Sequence, residues 1–312
     1  MLKKLFLLTT LFSLFNLPAL VASPSCGHAY VANEGSGNVS VIDTASEMVI
    51  ATVTVGTQPF AVAITPDGTK AYVTNSMDGT VSVIDTASEM VIATIMVGST
   101  PRGVAITPDG TKAYVTNLGS GTVSVISTAS EMVIATVTVG TSPQGVAITP
   151  DGSKAYVANE GSNNVSVIDT GSEMVIATVT VGTNPIGVAI TPDGTKAYIT
   201  NAGNGNVSVI STASEMVIAT VMVGTTPQGV AITPDGTKAY VTNLGSDNVS
   251  VISTASEMVI ATIMVGNSPQ GVAVGPCPAQ GGFRRGKERK APKAGLHPHR
   301  APVRTHKHKG KK

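Results

Sequence analysis

Residues 103–117 read GVAITPDGTKAYVTN, and near copies of this stretch recur along the chain every 42 residues. The central tyrosine fixes the interval, because it stands at Tyr30, Tyr72, Tyr114, Tyr156, Tyr198 and Tyr240. Each unit continues through two further runs rich in β-branched residues, such as TVSVI at 122–126 and MVIATV at 132–137. Self-similarity at a period of about 20–50 residues is the signature of a repeat architecture. Residues 26–275 are therefore predicted to be built from one repeated unit.

Each unit contains four short runs with the character of β-strands. In the second unit these runs are Phe60–Thr65, Lys70–Thr74, Thr80–Ile84 and Met90–Val97. Pro-Asp-Gly at 66–68 is a hairpin turn signal between the first two runs, and no stretch has a helical period. Four strands in about 42 residues is typical of a β-propeller blade, whereas the coils of a β-solenoid are usually shorter. We therefore predict an all-β fold, a six-bladed β-propeller of four-stranded blades.

The tyrosine-centred tetrapeptide also carries a resemblance to a known family. YVTN occurs at residues 72–75, 114–117 and 240–243, and close variants occur at 30–33, 156–159 and 198–201. Over about 250 residues the chain resembles the YVTN-type β-propeller repeat family of surface-layer-like and secreted microbial proteins. The resemblance implies the propeller fold, often with seven blades. It leaves the function open, because these propellers are mostly uncharacterised.

The repeat begins and ends out of phase, which indicates how a ring would close. The first unit starts at its second strand, His28–Asn33, and the last unit ends with a spare first strand, Gly271–Val274. Pairing of these segments would complete one blade and remove both open sheet edges. The propeller is thus predicted to be closed by pairing of the N- and C-terminal strands.

Two cysteines flank this predicted closure. The spacing of Cys26 and Cys277 is one residue short of six repeat lengths, so both align with the same hairpin turn of the other units. An exported protein meets oxidising conditions, which favour a disulfide. We predict a Cys26–Cys277 bond, and the alternative is two unpaired cysteines near the chain ends.

The two ends of the chain differ from the repeats. Residues 1–25 are predicted to be a signal peptide, because Lys3 and Lys4 precede an apolar stretch, Leu5–Leu17, that is too short to span a bilayer. Residues 26–278 form the predicted propeller domain, and residues 279–312 form a basic tail predicted to be disordered. The net charge of +1 combines an acidic propeller with this tail. We expect a secreted, periplasmic or cell-surface protein without a transmembrane segment.

Near-identical repeats present the same groups around an axis, whereas a catalytic site needs unlike groups at one point. The repeats contain one histidine, His28, and no tryptophan. No catalytic residue, metal site or cofactor is therefore predicted. The Asp of each Pro-Asp-Gly is interpreted as a turn residue, because one carboxylate per turn is below the ligand number of calcium.

The repeats differ from one another at two loops that are expected to surround the central channel. After each interblade proline stand the candidates for a ligand-binding rim: Phe60, Arg102, Gln144, Ile186, Gln228 and Gln270. The loops after the second strands vary as well and include Glu34 and Glu160. Arg102 is the only arginine of the repeats and the candidate for binding an anionic group. The alternative interpretation is neutral drift in exposed loops.

Three hypotheses about function follow. The first is an exported, non-catalytic propeller for binding, assembly or adhesion, whose partner is a protein or envelope polysaccharide at the propeller face or the outer strand edges. The second is a propeller-class enzyme, of the lactonase or oxidoreductase type, with a site at the channel mouth. The third is binding of an anionic polymer, such as nucleic acid, through the basic tail.

Overall fold

The structure is a computed structural model that describes residues 27–274. It contains 23 β-strands in six antiparallel sheets and one short 3₁₀ turn, Glu160–Ser162. No helix among these residues has the length and apolar character needed to cross a bilayer. The predicted signal peptide, Cys26, Cys277 and the basic tail lie outside the described residues, so the disulfide stays a prediction.

The strands follow the chain, three in the first sheet and four in each of the others. The first blade contains β1 (His28–Asn33), β2 (Asn38–Asp43) and β3 (Met48–Thr54). The second contains β4 (Pro59–Ile64), β5 (Lys70–Asn75), β6 (Thr80–Asp85) and β7 (Met90–Met96). The third contains β8 (Pro101–Ile106), β9 (Lys112–Asn117), β10 (Thr122–Ser127) and β11 (Met132–Thr138).

The last three blades repeat the same lengths. The fourth contains β12 (Pro143–Ile148), β13 (Lys154–Asn159), β14 (Asn164–Asp169) and β15 (Met174–Thr180). The fifth contains β16 (Pro185–Ile190), β17 (Lys196–Asn201), β18 (Asn206–Ser211) and β19 (Met216–Met222). The sixth contains β20 (Pro227–Ile232), β21 (Lys238–Asn243), β22 (Asn248–Ser253) and β23 (Met258–Met264).

Within every blade the order of strands in the sheet is their order in the chain. The first strands of successive four-stranded blades, β4, β8, β12, β16 and β20, contact one another, which places them around a common axis as the inner strands. This arrangement confirms a propeller built from four-stranded antiparallel blades. In the second blade, the four predicted runs agree with β4–β7 to within one residue at each end.

The apolar core lies between neighbouring blades. Between the fourth and fifth blades, Tyr156, Val165 and Val167 pack against Ala197 and Ile199, and all five side chains are fully buried. Equivalent clusters occupy the other four contacts between successive blades. A middle strand is covered on both faces, so its polar side chains are buried together with its apolar ones: Ala71, Tyr72, Val73, Thr74 and Asn75 of β5 are all fully buried.

The threonine and asparagine of the tetrapeptide connect adjacent blades through hydrogen bonds. Thr200 Oγ1 accepts from the Gly187 amide at 2.7 Å and donates to the Gln228 carbonyl of the next blade, also at 2.7 Å. Asn117 is fully buried, and its Oδ1 accepts from the Gly98 amide of the preceding blade at 3.1 Å. The tetrapeptide therefore has a structural role, because buried backbone groups need such partners.

The tyrosine of the tetrapeptide belongs to a Lys–Tyr–Glu cluster that we call the interblade joint. In the joint of the fourth and fifth blades, Lys154 Nζ lies 2.6 Å from Glu215 Oε1, and the Tyr156 hydroxyl donates to Glu215 Oε2 at 2.8 Å. The other joints repeat it: Lys70, Tyr72 and Glu131; Lys112, Tyr114 and Glu173; Lys196, Tyr198 and Glu257. In the joint of the first two blades, His28 replaces lysine beside Tyr30 and Glu89.

Each joint glutamate stands at a strained backbone position. Glu215 has φ 54°, and its equivalents have the same left-handed conformation, which glycine adopts at lower cost. The bond of its side chain to the preceding blade accounts for glutamate at Glu215 and at the other four joint positions. Burial, and then the hydrogen bond to Glu215, raises the pKa of Tyr156 far above its usual value, and Tyr72, Tyr114 and Tyr198 behave alike.

The predicted closure of the ring is wrong in this structure. Gly271–Val274 forms no strand, and β1 pairs only with β2 among the described residues, so the first blade has three strands. The two ends, which we call the seam, carry the separated parts of a sixth joint. Glu47 is exposed at one end, and Lys238 and Tyr240 at the other make no joint with it. Matching sequences show which edges are complementary, but closure also requires that the angles between blades add up to a full circle.

The chain offers a matched test of the contact between successive blades. A Cβ at Gly182 would lie 2.6 Å from Cγ and 2.7 Å from Cβ of the buried Asn201, whereas one at the equivalent Gly266 of the last blade would meet nothing within 4 Å. We expect Gly182→Ala to lower the free energy of unfolding by roughly 1–3 kcal/mol through overpacking, and Gly266→Ala to leave it nearly unchanged. Urea denaturation of both variants measures this. Equal losses would show that the last blade is packed in solution as the inner ones are.

Candidate functional site

The channel mouth is formed by the first residues of the inner strands. Each four-stranded blade enters its inner strand through a residue with left-handed backbone, such as Ser142 with φ 52°, followed by a proline whose ring fixes φ. The next residue is the variable one, here Gln144. Five-fold repetition of this entry therefore places the variable side chains at the same end of the channel.

Behind the variable residues the inner strands come very close together. A Cβ at Gly145 would lie 2.5 Å from the Ile186 carbonyl oxygen of the next blade, and one at Gly103 would lie 2.6 Å from the Gln144 carbonyl oxygen. Glycine at these positions permits the close approach of neighbouring backbones. The inner strands are thus closely spaced at the mouth, with backbone groups between the variable side chains.

A cavity of about 410 Å³ occupies the mouth. Five of the six predicted rim residues line it: Phe60, Gln144, Ile186, Gln228 and Gln270. The remaining lining residues are Ala32, Glu34, Pro59, Gly103, Gly145, Gly187, Gly229 and Gly271. The volume is within the range of small-molecule sites, which span about 300–1,000 Å³.

Arg102, the sixth predicted rim residue, lies against the ring of Phe60. Its guanidinium carbon is 4.2 Å from the ring centroid, a distance at which a cation and an aromatic face attract each other. The Nε atom is buried and has no hydrogen-bond partner among residues 27–274. An unsatisfied buried donor costs about 1–3 kcal/mol, and Arg102 is not among the residues that line the cavity.

Two carboxylates also lie at the mouth. Gln144 Nε2 donates to Glu160 Oε2 at 2.6 Å, which orients both side chains, and Glu34 lines the cavity directly. Glu160 begins the 3₁₀ turn after β13, and Glu34 follows β1, so both belong to the variable loops after the second strands. The cavity lining therefore includes one carboxylate and three carboxamides, with Glu160 bonded to Gln144 and Arg102 stacked on Phe60 beside it.

Arg102 and Lys238 differ from the other cations of the described chain. Lys70, Lys112, Lys154 and Lys196 are all paired with joint glutamates, whereas neither Arg102 nor Lys238 has an ion pair among residues 27–274. The strand β20 begins at the mouth and ends at Ile232. Lys238 begins the antiparallel strand β21 beside that far end, so Lys238 lies at the end of the blade opposite the mouth. Lys238 is therefore a suitable control for Arg102, because it is a cation without an ion pair that lies outside the candidate site.

The aspartates of the Pro-Asp-Gly turns are occupied within their own turns. Asp151 accepts from the Ser153 amide at 3.0 Å and from the Thr149 hydroxyl, and these bonds, led by that from Thr149, lower its pKa to about 2. The described residues contain no group of three or more His, Cys, Asp or Glu side chains arranged to hold a metal ion.

The joint glutamates are not recognisable from the sequence pattern. Residues 85–89 have the pattern of a turn between two strands, whereas Glu89 and its equivalents bond to the preceding blade. A signal was present, because glutamate ends this turn in every unit where glycine or asparagine would be expected. Its partner lies 59 residues earlier in the chain, in another blade.

Comparison with known proteins gives a family and two similar structures. A sequence model of the family described as "Lactonase, 7-bladed beta-propeller" matches residues 20–133, 52–174 and 127–263, which together span most of the chain. A structure described as "Kuenenia stuttgartiensis Hydrazine Synthase" is similar, with a TM-score of 0.73 and 27% identity, covering 81% of this chain and 88% of that one.

A second solved structure shares the fold. It is a functionally unknown protein from Desulfotomaculum acetoxidans DSM 771, with a TM-score of 0.66 and 22% identity, covering 78% of this chain and 81% of that one. No curated protein matches the chain. The six sheets of the described residues differ in number from the seven blades in the description of the family.

Proposed function

The chain belongs to the lactonase family of seven-bladed β-propellers, and within that family we propose that it is an exported, non-catalytic propeller that binds a ligand at the channel mouth. The composition of the mouth carries this proposal. Most of its lining is glycine and glutamine repeated around the axis, which offers hydrogen bonds but no set of unlike reactive groups. Phe60, Arg102 and Ile186 break the repetition and give the mouth a specific side.

We further propose that the protein acts outside the cytoplasm, secreted, in the periplasm or at the cell surface. The signal-peptide pattern of residues 1–25 supports this location. The six tyrosine-centred copies support a YVTN-type member of the family. Its partner is then a protein or polysaccharide of the cell envelope, bound at the propeller face.

The outer strands are a second surface for such a partner. Along β7, Met90 is 63% and Ile92 is 52% exposed, and the other outer strands expose equivalent residues. Exposed strand edges with apolar side chains favour addition of a strand from another chain. A bulge in the pairing of each outer strand, between Val83 and Ile84 of β6 in the second blade, bends this edge and limits the length of strand available.

A pull-down from envelope fractions tests the proposed function. We expect the mature propeller to retain an envelope component, and the double variant Phe60→Ala/Arg102→Gln to retain less than a tenth of it. Lys238→Gln removes the same charge at the other end of a blade and serves as the control. Full retention by the double variant would refute binding at the mouth, and equal losses in both variants would indicate general electrostatic attraction.

The family name favours a second candidate, hydrolysis of a lactone at the same mouth. Glu34 and Glu160 are the carboxylates there that are able to act on a water molecule. An oxidoreductase role is supported only by the similarity to the structure described as a hydrazine synthase. Ring-opening assays on a panel of lactones decide between the candidates. Hydrolysis that is abolished by Glu34→Gln or Glu160→Gln would replace the binding proposal.

The basic tail supports a third hypothesis, binding of an anionic polymer. From residue 276 onward it carries 12 Lys or Arg and one Glu. Contacts of this kind weaken steeply with salt. Deletion of residues 279–312 should therefore remove any salt-sensitive binding to polyanions, and unchanged affinity in a salt titration would refute this role.

A further inference from the structure

The two faces of the seam expose side chains that the interior blades bury against one another. On the first blade, Val49 of β3 is 58% exposed, whereas its equivalent in the second blade, Val91, packs against the preceding blade. On the last blade, Ile263 of β23 is 45% exposed, whereas the equivalent Ile95 is 6% exposed and packs against the following blade. Each face is therefore one half of an interblade contact that has no second half among residues 27–274.

The polar groups of the two faces are also complementary. The last blade presents Lys238 and Tyr240, the lysine and tyrosine of a joint, and the first blade presents Glu47, the glutamate of a joint. Glu47 already has the backbone of an interior joint glutamate, because its φ is 56° and its amide donates to the Asp43 carbonyl at 2.8 Å. A joint at the seam would therefore need no rearrangement of this turn.

The backbone of the two ends is complementary as well. The Gln270 carbonyl oxygen accepts from the Gly229 amide at 3.0 Å and from Thr242 Oγ1 at 2.6 Å, so Gln270 lies where an inner strand of a following blade would begin. Residues 271–274 have no neighbouring strand in the described chain, and the first blade has no inner strand beside β1. Free strand edges of this kind favour pairing with another chain.

We propose that the seam binds a second copy of this chain head to tail, with the first blade of one copy on the last blade of the other. Residues 271–274 of one copy complete the first blade of the next, and Lys238 and Tyr240 form the missing joint with Glu47 of the second copy. The contact between copies thus has the composition of the five contacts within the chain.

A second copy satisfies these faces where the chain's own ends do not. The described blades hold their own two ends apart, whereas a separate copy is free to approach at the angle that an interblade contact requires. The contact joins unlike surfaces, so every pair of copies keeps one free face of each kind, and further copies are able to add.

Sedimentation velocity of the full chain over a range of concentrations tests the proposal. A reducing buffer keeps Cys26 and Cys277 as thiols, so that a disulfide between copies does not contribute. We expect the mass of a single chain in dilute solution, such as that used for unfolding, and a mass that rises with concentration. The rise should continue beyond two copies, because the contact is head to tail.

Two variants block one face each. Val49→Asp on the first blade and Ile263→Asp on the last blade place a charge inside the contact, and each alone should weaken self-association at least tenfold. An equimolar mixture of the two should associate again, because the intact last blade of one variant meets the intact first blade of the other. Growth should then stop at a dimer of one copy of each.

Matched controls carry the same charge on the same strands. Ile50→Asp and Met264→Asp replace side chains whose equivalents in the second blade, Ile92 and Met96, are also exposed and lie outside the interblade contact. Both controls should self-associate as the unaltered chain does. All four positions are exposed, and thermal unfolding confirms that each variant is folded.

The proposal fails if the mass stays that of one chain at every concentration, or if the mixed variants do not associate. It also fails if the controls weaken self-association as strongly as Val49→Asp and Ile263→Asp do. A constant single-chain mass combined with a loss of stability in Val49→Asp would mean that the chain closes on its own end instead of on a second copy.

Discussion

Raising the pH above about 10 should unfold the propeller over a narrow range, because the joint tyrosines keep their protons in the folded state. Burial and the bonds to glutamate raise the pKa of Tyr72, Tyr114, Tyr156 and Tyr198, whereas the same residues in the unfolded chain ionise near 10. Below pH 10 both states are protonated and this contribution to stability is complete. Above pH 10 only the unfolded state loses protons, so the free energy of unfolding falls.

The expected slope is steep. Each tyrosine that ionises only in the unfolded chain lowers the free energy of unfolding by about 1.4 kcal/mol per pH unit, so these four, which are fully buried, together give roughly 5 kcal/mol per unit. Tyr30 of the first joint, whose pKa is raised by burial and by its bond to Glu89, adds to this slope. A domain stability of about 5–15 kcal/mol would be exhausted within a few pH units. Far-ultraviolet circular dichroism and phenolate absorbance, followed together, should change in one cooperative step.

A single-residue variant tests the assignment of the slope. Tyr156→Phe should reduce the pH dependence by about one proton. Phenolate absorbance that rises gradually around pH 10 while the β-sheet signal persists would contradict the prediction, because it would mean that the joint tyrosines ionise in the folded propeller.

Glu215→Ala should be the most damaging replacement of a single charged residue. The change leaves Lys154, whose side chain is 27% exposed, without its carboxylate, and leaves the buried Tyr156 hydroxyl without an acceptor. Loss of one partner from such a cluster should cost about 2–4 kcal/mol, somewhat less than for a fully buried pair. The measurement is the urea midpoint, with the slope of the transition checked for two-state behaviour.

Glu47→Ala is the matched control. Glu47 and Glu215 have φ of 56° and 54°, so replacement by alanine changes the backbone strain equally at both positions. Glu47 is exposed and belongs to no joint, and its replacement should alter stability by no more than about 0.5 kcal/mol. A loss at Glu47 as large as that at Glu215 would show that a sixth joint with Lys238 and Tyr240 forms in solution.

The fold was predictable from the sequence because its determinants are local and repeated. The β-branched runs, the Pro-Asp-Gly hairpins and the interblade prolines each specify a strand or a turn within one unit. Because these signals recur every 42 residues, they predict a series of similar blades with the rim residues at the same end of each blade. Five of the six rim candidates line one cavity, and the sixth lies on Phe60.

Two features were not predictable from local patterns. The joint of Tyr156 with Glu215 connects different blades, and a turn that ends in glutamate gives no indication of its partner. Closure depends on the angle between blades, which arises from many small contacts such as that of Gly182 with Asn201. The incomplete first unit and the spare run at 271–274 predicted a closed ring, although the described blades do not form one.

The interblade joint has a consequence for how such a gene changes. Each joint between four-stranded blades takes lysine and tyrosine from one blade and glutamate from the next, so the interior blades are interchangeable at this contact. Unequal recombination that adds or removes one 42-residue unit would keep every interior contact and leave the same two unmatched ends. A change in the number of interior units should therefore cost little in folding, whereas a single substitution at Glu215 should be costly. We therefore expect the fold to tolerate the gain or loss of a whole 42-residue unit better than the insertion or deletion of a single residue.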